Sequence, residues 1–462
     1  MRSETPSPMA LDPVLRDRHR AAFRAALPAH LERLAWDRPR IAAFQRDRLR
    51  ALLRHAQAQS PFHARRLAGV DPERFELADL PRLPVMTKSE MMAGFDELVT
   101  DRRLTRALVE RHLAATGPDP SHLLDEYLVL ASGGSSGERG VFVYGWDAAV
   151  DYTLGFLRSS FGRLAALDPP PSGIPLAMVA AGSGVHATRA LAALFADAPI
   201  RATSIPVTLP LPEVVARLNA LQPLMLQAYA SALSLLAEEQ RAGRLRIRPL
   251  SVTSTSEPFA PEARARVEAA FAAPAVDQLG SSEGVVGNSL PGDPAIVLAE
   301  DLAIVELVDE HDRPVPPGTP SAKALVTNLM NPVQPLIRYE LTDRFVRHPD
   351  APGHGYARVT LEGRQDDVLR FGDVVVHPLV VRTALVHTPA VVEYQVRQTT
   401  AGVDVDVVAA GPLDRDALAG AIAAGLAKAG LERPKVRVAV VETLPRHPET
   451  GKTRRFVPLA RH

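Results

Sequence analysis

Between two apolar runs, Tyr127–Ala131 and Val141–Tyr144, the chain places Ser132-Gly133-Gly134-Ser135-Ser136-Gly137-Glu138-Arg139-Gly140. Glycines let a backbone turn tightly and approach a ligand without a Cβ clash. Successive amide N–H groups and serine hydroxyls in such a loop can cradle phosphate oxygens. Ser132, Gly134, Ser135, Ser136 and Gly137 could supply those donors and Arg139 a positive charge, although the same residues also suit an ordinary turn. Further along, Glu283 follows Ser281 and Ser282. A carboxylate there is the hard oxygen ligand that Mg²⁺ takes, or else an acid at a helix start. Asp343 ends the run Pro335-Leu336-Ile337-Arg338-Tyr339-Glu340-Leu341-Thr342-Asp343. Its carboxylate could accept from both hydroxyls of a ribose, or cap a turn. Lys452 sits in the polar stretch Pro445–Arg455, where a lone charge could act on a ligand or simply be solvated.

Two other patterns point to different chemistry. Gly133-Gly134-Ser135-Ser136-Gly137 fits G-x-S-x-G, which would make Ser135 the nucleophile of a hydrolase. That elbow needs a helix directly after the serine, and Val141-Phe142-Val143-Tyr144 reads as a strand. Gly451-Lys452-Thr453 looks like the end of a phosphate-binding Walker loop, but Arg446 stands where that loop needs glycine.

The elements that must position these residues follow from periodicity. Ile41, Phe44, Leu49, Leu52, Leu53 and Ala56 mark one face of a helix ending at Ser60-Pro61, and Thr87 with Glu90 forms a capping box that opens another. From Tyr127 the pattern changes. Leu176–Ala181, Ile200–Val207, Leu224–Gln227, Ser251–Ser256 and Ala275–Leu279 read as buried strands. Helical stretches lie between them at His186–Ala196, Glu213–Leu221, Ala232–Ala242 and Pro261–Phe271. This alternation predicts an α/β fold with a largely parallel, doubly wound sheet and ligands at the carboxyl ends of its strands. Beyond Pro291 shorter strands such as Ala303–Leu307 and Ala324–Thr327 predict an antiparallel portion. After Gly363-Arg364-Gln365-Asp366-Asp367 a small α+β unit is expected, with strands Val392–Gln398, Val403–Val408 and Val436–Thr443 and a helix Asp414–Ala429.

With 462 residues the chain exceeds a single ordinary core, so more than one domain is expected. Lys and Arg (53) balance Asp and Glu (53), which argues against a nucleic-acid or anionic-membrane partner. The chain contains no cysteine, which excludes disulfides, thiolate metal sites and a cysteine nucleophile and fits a cytoplasmic location. No apolar run reaches the roughly 20 residues of a membrane span, and the first twenty residues lack the apolar core of a secretory signal.

Taken in order, these segments resemble the adenylate-forming superfamily, most closely its phenylacetate–CoA ligase-like branch, over nearly the whole chain. The Leu49–Pro61 stretch and Leu80-Pro81-Arg82-Leu83-Pro84-Val85-Met86-Thr87-Lys88 look like that branch's opening. The Ser132–Gly140 loop is similar to its phosphate loop, and Ser254-Thr255-Ser256-Glu257-Pro258 to its adenine-side strand end. Leu279-Gly280-Ser281-Ser282-Glu283 resembles Y-G-x-T-E, Arg338–Asp343 resembles R-Y-R-T-G-D, Gly363–Asp367 matches G-R-x-D-D, and Gly451-Lys452 matches the closing G-K. The resemblance implies a large nucleotide- and acyl-binding domain over 1–364 and a small mobile lid over 365–462, hinged at Asp366. It implies that ATP phosphates are held by the Ser132–Arg139 loop, that Ser256, Glu257, Pro258, Asp277, Gln278 and Leu279 line the adenine, and that Gly280 and Ser281 also bind the nucleotide. Asp343 and Arg364 would hold the ribose, Ser282 the α-phosphate and Glu283 the Mg²⁺; Lys452 would bridge the carboxylate and the α-phosphate. His186, after Gly182-Ser183-Gly184, and Tyr229 are candidates for the acyl pocket; a helix-start histidine with no catalytic task is the alternative for His186.

The implied activity is ATP- and Mg²⁺-dependent activation of a small carboxylic acid to an acyl-adenylate, followed by transfer to coenzyme A. Transfer to an amine or carrier protein, a hydrolase built on Ser135, and a non-catalytic nucleotide-binding relative are the alternatives; a homodimer is allowed for. The chain departs from the pattern at Glu138-Arg139, where Lys-Pro is usual, at Leu279 in place of tyrosine, and at Leu341-Thr342 in place of a small residue and glycine.

Overall fold

The computed structural model describes residues 13–459 except 117–121, 132–139, 165–172, 181–199, 208, 351–354, 365–368, 373, 377, 387, 389 and 447–453. Its centre is a nine-stranded mixed sheet. Ile200–Pro206, Ile174–Ala180, Met225–Tyr229, Ser251–Thr255 and Ala275–Gly280 lie side by side in parallel. Val286–Leu290, Asp293–Leu298, Arg358–Arg364 and Asp343–Arg347 then extend the same sheet with antiparallel pairing. The antiparallel portion expected beyond Pro291 is therefore divided. Half of it continues the parallel sheet, and Ala303–Val308, Lys323–Asn328 and Tyr339–Leu341 form a separate three-stranded sheet. A third sheet pairs His122–Leu123, Tyr127–Ala131 and Val141–Tyr144.

Local sequence explains the elements between the strands. The helix Arg38–Gln59 is capped by Asp37 and buries Ile41, Leu49, Leu52, Leu53 and Ala56. Gln45, rather than the expected Phe44, completes the buried face, because its amide donates to the Glu300 carbonyl at 2.8 Å. Ser60 ends this helix and caps the next, Pro61–Arg66. The capping box of Thr87 and Glu90 opens Lys88–Ala93 as predicted. Proline at the first turn starts Pro261–Phe271, where its missing N–H costs nothing. The strand expected at Leu224–Gln227 runs instead through Met225–Tyr229 and feeds directly into the helix Ala230–Arg241.

Hydrophobic burial divides into separate clusters. One joins the N-terminal segments and the Tyr127–Tyr144 hairpin to the antiparallel strands, and another fills the parallel block. Residues 369–457 close a core of their own around Val381, Val396, Val405, Ile422 and Phe456. There Lys435–Val440, Gly402–Ala409, Val391–Thr399 and Phe456–Val457 form a four-stranded sheet backed by the helices Pro378–Val386 and Arg415–Lys428. The short strand Phe456–Val457, the hairpin Leu369–Phe371/Val374–Val376 and the first of these helices were not foreseen from periodicity. Among the described residues, no helix is long and apolar enough to cross a membrane.

Candidate active site

The strand Ala275–Gly280 ends at the carboxyl edge of the parallel block and turns through Ser281–Gly284. This turn is tightly held. The Gly284 amide donates to the Ser281 carbonyl (3.0 Å), and the Ser281 amide to the Val285 carbonyl (2.9 Å). From the side, the Tyr152 hydroxyl donates to the Ser281 carbonyl at 2.8 Å and the Tyr144 hydroxyl to the Ser282 carbonyl at 2.7 Å. The two tyrosine rings stack 5.2 Å apart. Asn328 Nδ2 donates to the Glu283 carbonyl at 2.9 Å. The result is a fixed turn presenting the half-buried Ser281 and Ser282 and the buried Glu283.

Glu283 is electrostatically unusual. Burial pushes its pKa up, and the neighbouring Asp343 charge adds to this, against its own amide, Lys88 and the Ser281 hydroxyl. Two acids and one lysine, far apart in sequence, thus act on one another here. Asp343 opens the strand Asp343–Arg347 and is the register partner of Arg364 on Arg358–Arg364, so the backbones of the two ribose candidates are paired on adjacent strands. Lys88 arrives by another route. The Met86 amide donates to the Arg338 carbonyl and the Glu340 amide to the Met86 carbonyl, both at 2.9 Å. This short pairing docks the N-terminal segment beside the strand that leads to Asp343. Arg338 strengthens it: its guanidinium donates to the Leu83 carbonyl at 2.5 Å and pairs with Glu306 at 3.0 Å.

The neighbouring strand end, after Ser251–Thr255, forms a second wall. Ser256 has φ +65°, which turns the chain sharply out of the strand. The Glu257 carboxylate accepts from the Ser231 amide at 2.9 Å, satisfying an N-terminal donor of the helix Ala230–Arg241. Half-buried Asp277 is pushed up to about 7 by burial, opposed by Arg264 and by the Gln278 and Phe259 amides. Gln278 Nε2 bonds the Phe156 carbonyl and Asn288 Oδ1, both at 3.1 Å, and Gln227 Nε2 donates to Gln278 Oε1 at 2.7 Å. Tyr229 is buried at the end of its strand.

No family model and no curated protein sequence matches the chain. Solved structures do. A 2-hydroxyisobutyryl-CoA ligase in its postadenylation state, in complex with R3-HIB-AMP, superposes with a TM-score of 0.69 at 19% identity, covering 92% of this chain and 91% of its own. The same ligase in its thioesterification state, with 2-HIB-AMP and CoA, gives 0.56 at the same identity and coverage. The amide bond synthetase McbA from Marinactinospora thermotolerans gives 0.50 at 16% identity, covering 70% of this chain and 66% of its own. The chain has the adenylate-forming ligase fold.

Within this adenylate-forming fold the structure brings together Glu283, Ser281, Ser282, Asp343 and the Arg364 backbone, with Gly280, Gln278 and Asp277 on the same strand. Glu257 is turned toward Ser231, so its carboxylate serves a helix end. The loop residues Ser132, Gly134, Ser135, Ser136, Gly137 and Arg139, together with His186, Asp366 and Lys452, lie outside the described residues. The loop's ends are described: Ala131 and Val141 are register partners in an antiparallel hairpin. A strand therefore follows the G-x-S-x-G segment, where a nucleophile elbow calls for a helix. Tyr144, Tyr152, Asn328 and Lys88 were not foreseen as site residues. Only Lys88 had a signal, its place in the Leu80–Lys88 segment.

Gly284 is the tightest point of the turn. Its φ is +103°, and a Cβ there would lie 2.2 Å from Asn328 Nδ2, the group that holds the Glu283 carbonyl. Gly284→Ala should therefore lower stability by more than about 1 kcal/mol and disturb Glu283. A denaturation midpoint and ATP affinity measured together will check both effects.

Proposed function

We propose that this chain activates a small carboxylic acid with ATP and Mg²⁺ and then passes the acyl group to coenzyme A. The observation that supports this best is the buried Glu283 beside Asp343 and Lys88, at the carboxyl end of a parallel strand. A buried carboxylate next to a second acid favours a bound cation. Among the described residues no group of three or more acidic or histidine side chains gathers to enclose a metal. That donor set fits Mg²⁺, which takes one or two carboxylates and completes its shell with phosphate oxygens and water. Glu283 would hold it, and the ion would offset charge on the phosphates.

The acid's carboxylate oxygen attacks the α-phosphorus, and the bond to the β-phosphate oxygen breaks to release pyrophosphate. Negative charge builds on the phosphate oxygens, where preorganised donors and cations act most strongly. The Ser132–Arg139 loop and Ser282 bind the phosphates, and Lys88 and Lys452 supply positive charge. Asp343 accepts from the ribose hydroxyls opposite Arg364, and the Ser256–Pro258 and Asp277–Leu279 segments line the adenine. His186 and Tyr229 border the acyl group. In the second half-reaction the thiolate sulfur of coenzyme A attacks the acyl carbonyl and AMP leaves. A rotation of the C-terminal unit about Asp366 separates the two steps.

A pyrophosphate-release screen over aryl, fatty and amino acids, with and without coenzyme A, tests the reading. Release with one class of acid, and thioester only when coenzyme A is present, is the expected result. ATP binding without release for any acid would overturn it in favour of a non-catalytic nucleotide-binding protein. Asp343→Ala should weaken ATP binding by the equivalent of about 1.5–3 kcal/mol, the contribution of a hydrogen bond to a charged acceptor. Unchanged affinity by calorimetry would remove the ribose assignment.

A further inference from the structure

The C-terminal unit meets the large one through a small group of charged side chains. Glu393, on the strand Val391–Thr399, is buried, with 3% of its side chain exposed. Arg446 lies 3.6 Å from Glu393 Oε2 and 3.4 Å from the Ser231 hydroxyl of the helix Ala230–Arg241. Arg455 lies over the Tyr394 ring at 5.5 Å, within the fields of both Glu257 and Glu393. Glu257 in turn accepts from the Ser231 amide. Glu393 Oε1 is buried without a hydrogen-bond partner among the described residues. A cavity bordered by Ser234, Glu262, Arg266, Glu393, Tyr394 and Arg455 runs alongside.

We propose that Arg446, Arg455, Glu393 and Glu257 form a polar clamp that fastens the C-terminal unit to the wall of the nucleotide pocket. The assignment of that pocket rests on the function proposed above. Arg446 and Arg455, on either side of residues 447–453 in the sequence, both act on Glu393. The clamp's partner on the large unit, Glu257, is flanked by Ser256 and Pro258, the residues assigned to the adenine. A nucleotide that orders this loop therefore also orders the surface on which the C-terminal unit rests.

Glu393 makes the clamp respond to protons. Burial raises its pKa from 4.5 to about 7; Arg446 and Arg455 oppose this, while Glu257 adds to it. The groups facing it are these three, the Ser231 hydroxyl and Tyr394, with Glu262 and Arg266 across the cavity. An acid whose pKa is higher when docked favours docking fully below its undocked value. That contribution is lost as pH rises through the docked value. Docking should therefore weaken between about pH 4.5 and 7.

Hydrogen exchange on the full chain without substrates tests this. Peptides covering 230–236 and 391–396 should exchange faster at about pH 8 than at about pH 5.5, after correction for intrinsic rates. Glu393→Gln should remove that pH dependence. Arg446→Ala should speed exchange in both peptides about tenfold, while the strand Ser251–Thr255 keeps its protection and shows the variant to be folded. Arg446→Lys should restore most of the protection. If the protein activates acids, Arg446→Ala should also lower kcat for pyrophosphate release with little change in the KM for ATP. Exchange that ignores both pH and Arg446→Ala would overturn the clamp, whatever the activity. Absence of pyrophosphate with every acid would overturn the enzymatic reading and leave the exchange result standing.

Discussion

Lys452→Ala should reduce acid-dependent pyrophosphate release by about 10²–10³, the usual loss when one charge-stabilising contact to a developing oxyanion is removed. Lys452 is distant in sequence from Glu283 and Asp343 and belongs to the unit with its own core. It can influence adenylation only if that unit rests on the nucleotide pocket. The flanks of its segment meet this requirement. Arg446 reaches Ser231 on the large unit. Past the segment, the Arg454 carbonyl accepts from Gln395 Nε2 at 2.9 Å, and the Val396 amide donates to the Arg455 carbonyl at 2.7 Å. Under the proposed function an ammonium at Lys452 would offset charge on the approaching carboxylate and the α-phosphate, and a methyl group would not. Transfer from synthetic acyl-AMP to coenzyme A should survive, because the bond to the α-phosphate has already formed. Pyrophosphate release and thioester formation assayed separately will show the split. Equal loss of both in a folded variant would count against alternation of the unit, and no loss would leave Lys452 a solvated tail residue.

Much of the fold was legible because its signals are local. Buried parallel strands write themselves as short apolar runs, and Thr87 with Glu90 announces a helix start within four residues. The separate core after Arg364 followed from a renewed strand–helix–strand pattern. What could not be read is pairing at a distance. Nothing in Asp293–Leu298 or Arg358–Arg364 tells that they extend the parallel block, because an antiparallel strand reads the same whichever sheet it joins. The site divides in the same way. Glu283 and Asp343 stand out by residue type and spacing, yet their mutual influence and that of Lys88 arise from register. The Met86 segment must pair beside Tyr339 before the lysine matters. Tyr144 reads as part of an apolar strand and Tyr152 carries no signal of its own, and only the structure shows their hydroxyls holding the turn. Glu257 illustrates the converse: it lies in a recognisable segment, but its carboxylate serves a helix end and the C-terminal unit.

Asp301→Ala should be the most destabilising single change, at about 3–5 kcal/mol, the cost of stranding one member of a buried ion pair. Asp301 accepts from both terminal nitrogens of Arg158, at 2.6 and 2.7 Å, with side-chain exposures of 0% and 3%. Burial would raise the pKa of Asp301, but Arg158, Arg33 and His30 outweigh it, so the carboxyl is held below its usual value of 3.8. A depressed acid contributes stability that is present above its unfolded pKa and lost as pH falls through the folded one. The pair should therefore act fully at neutral pH and fail only in strong acid. Its position gives it reach. Arg158 lies on the helix Trp146–Leu164, which also supplies the Tyr152 hydroxyl to Ser281 and the Phe156 carbonyl to Gln278. The same bridge that secures the helix thus sets the height of the turn bearing Glu283. A urea midpoint will measure the loss, and the paired replacement Arg158→Met with Asp301→Leu gives its cause. Removing both charges leaves only Arg33, 3.5 Å from Asp301 and 16% exposed, without its partner, so the double variant should recover much of the stability that Asp301→Ala loses. If the two lose equally, packing of the helix rather than the uncompensated guanidinium is responsible.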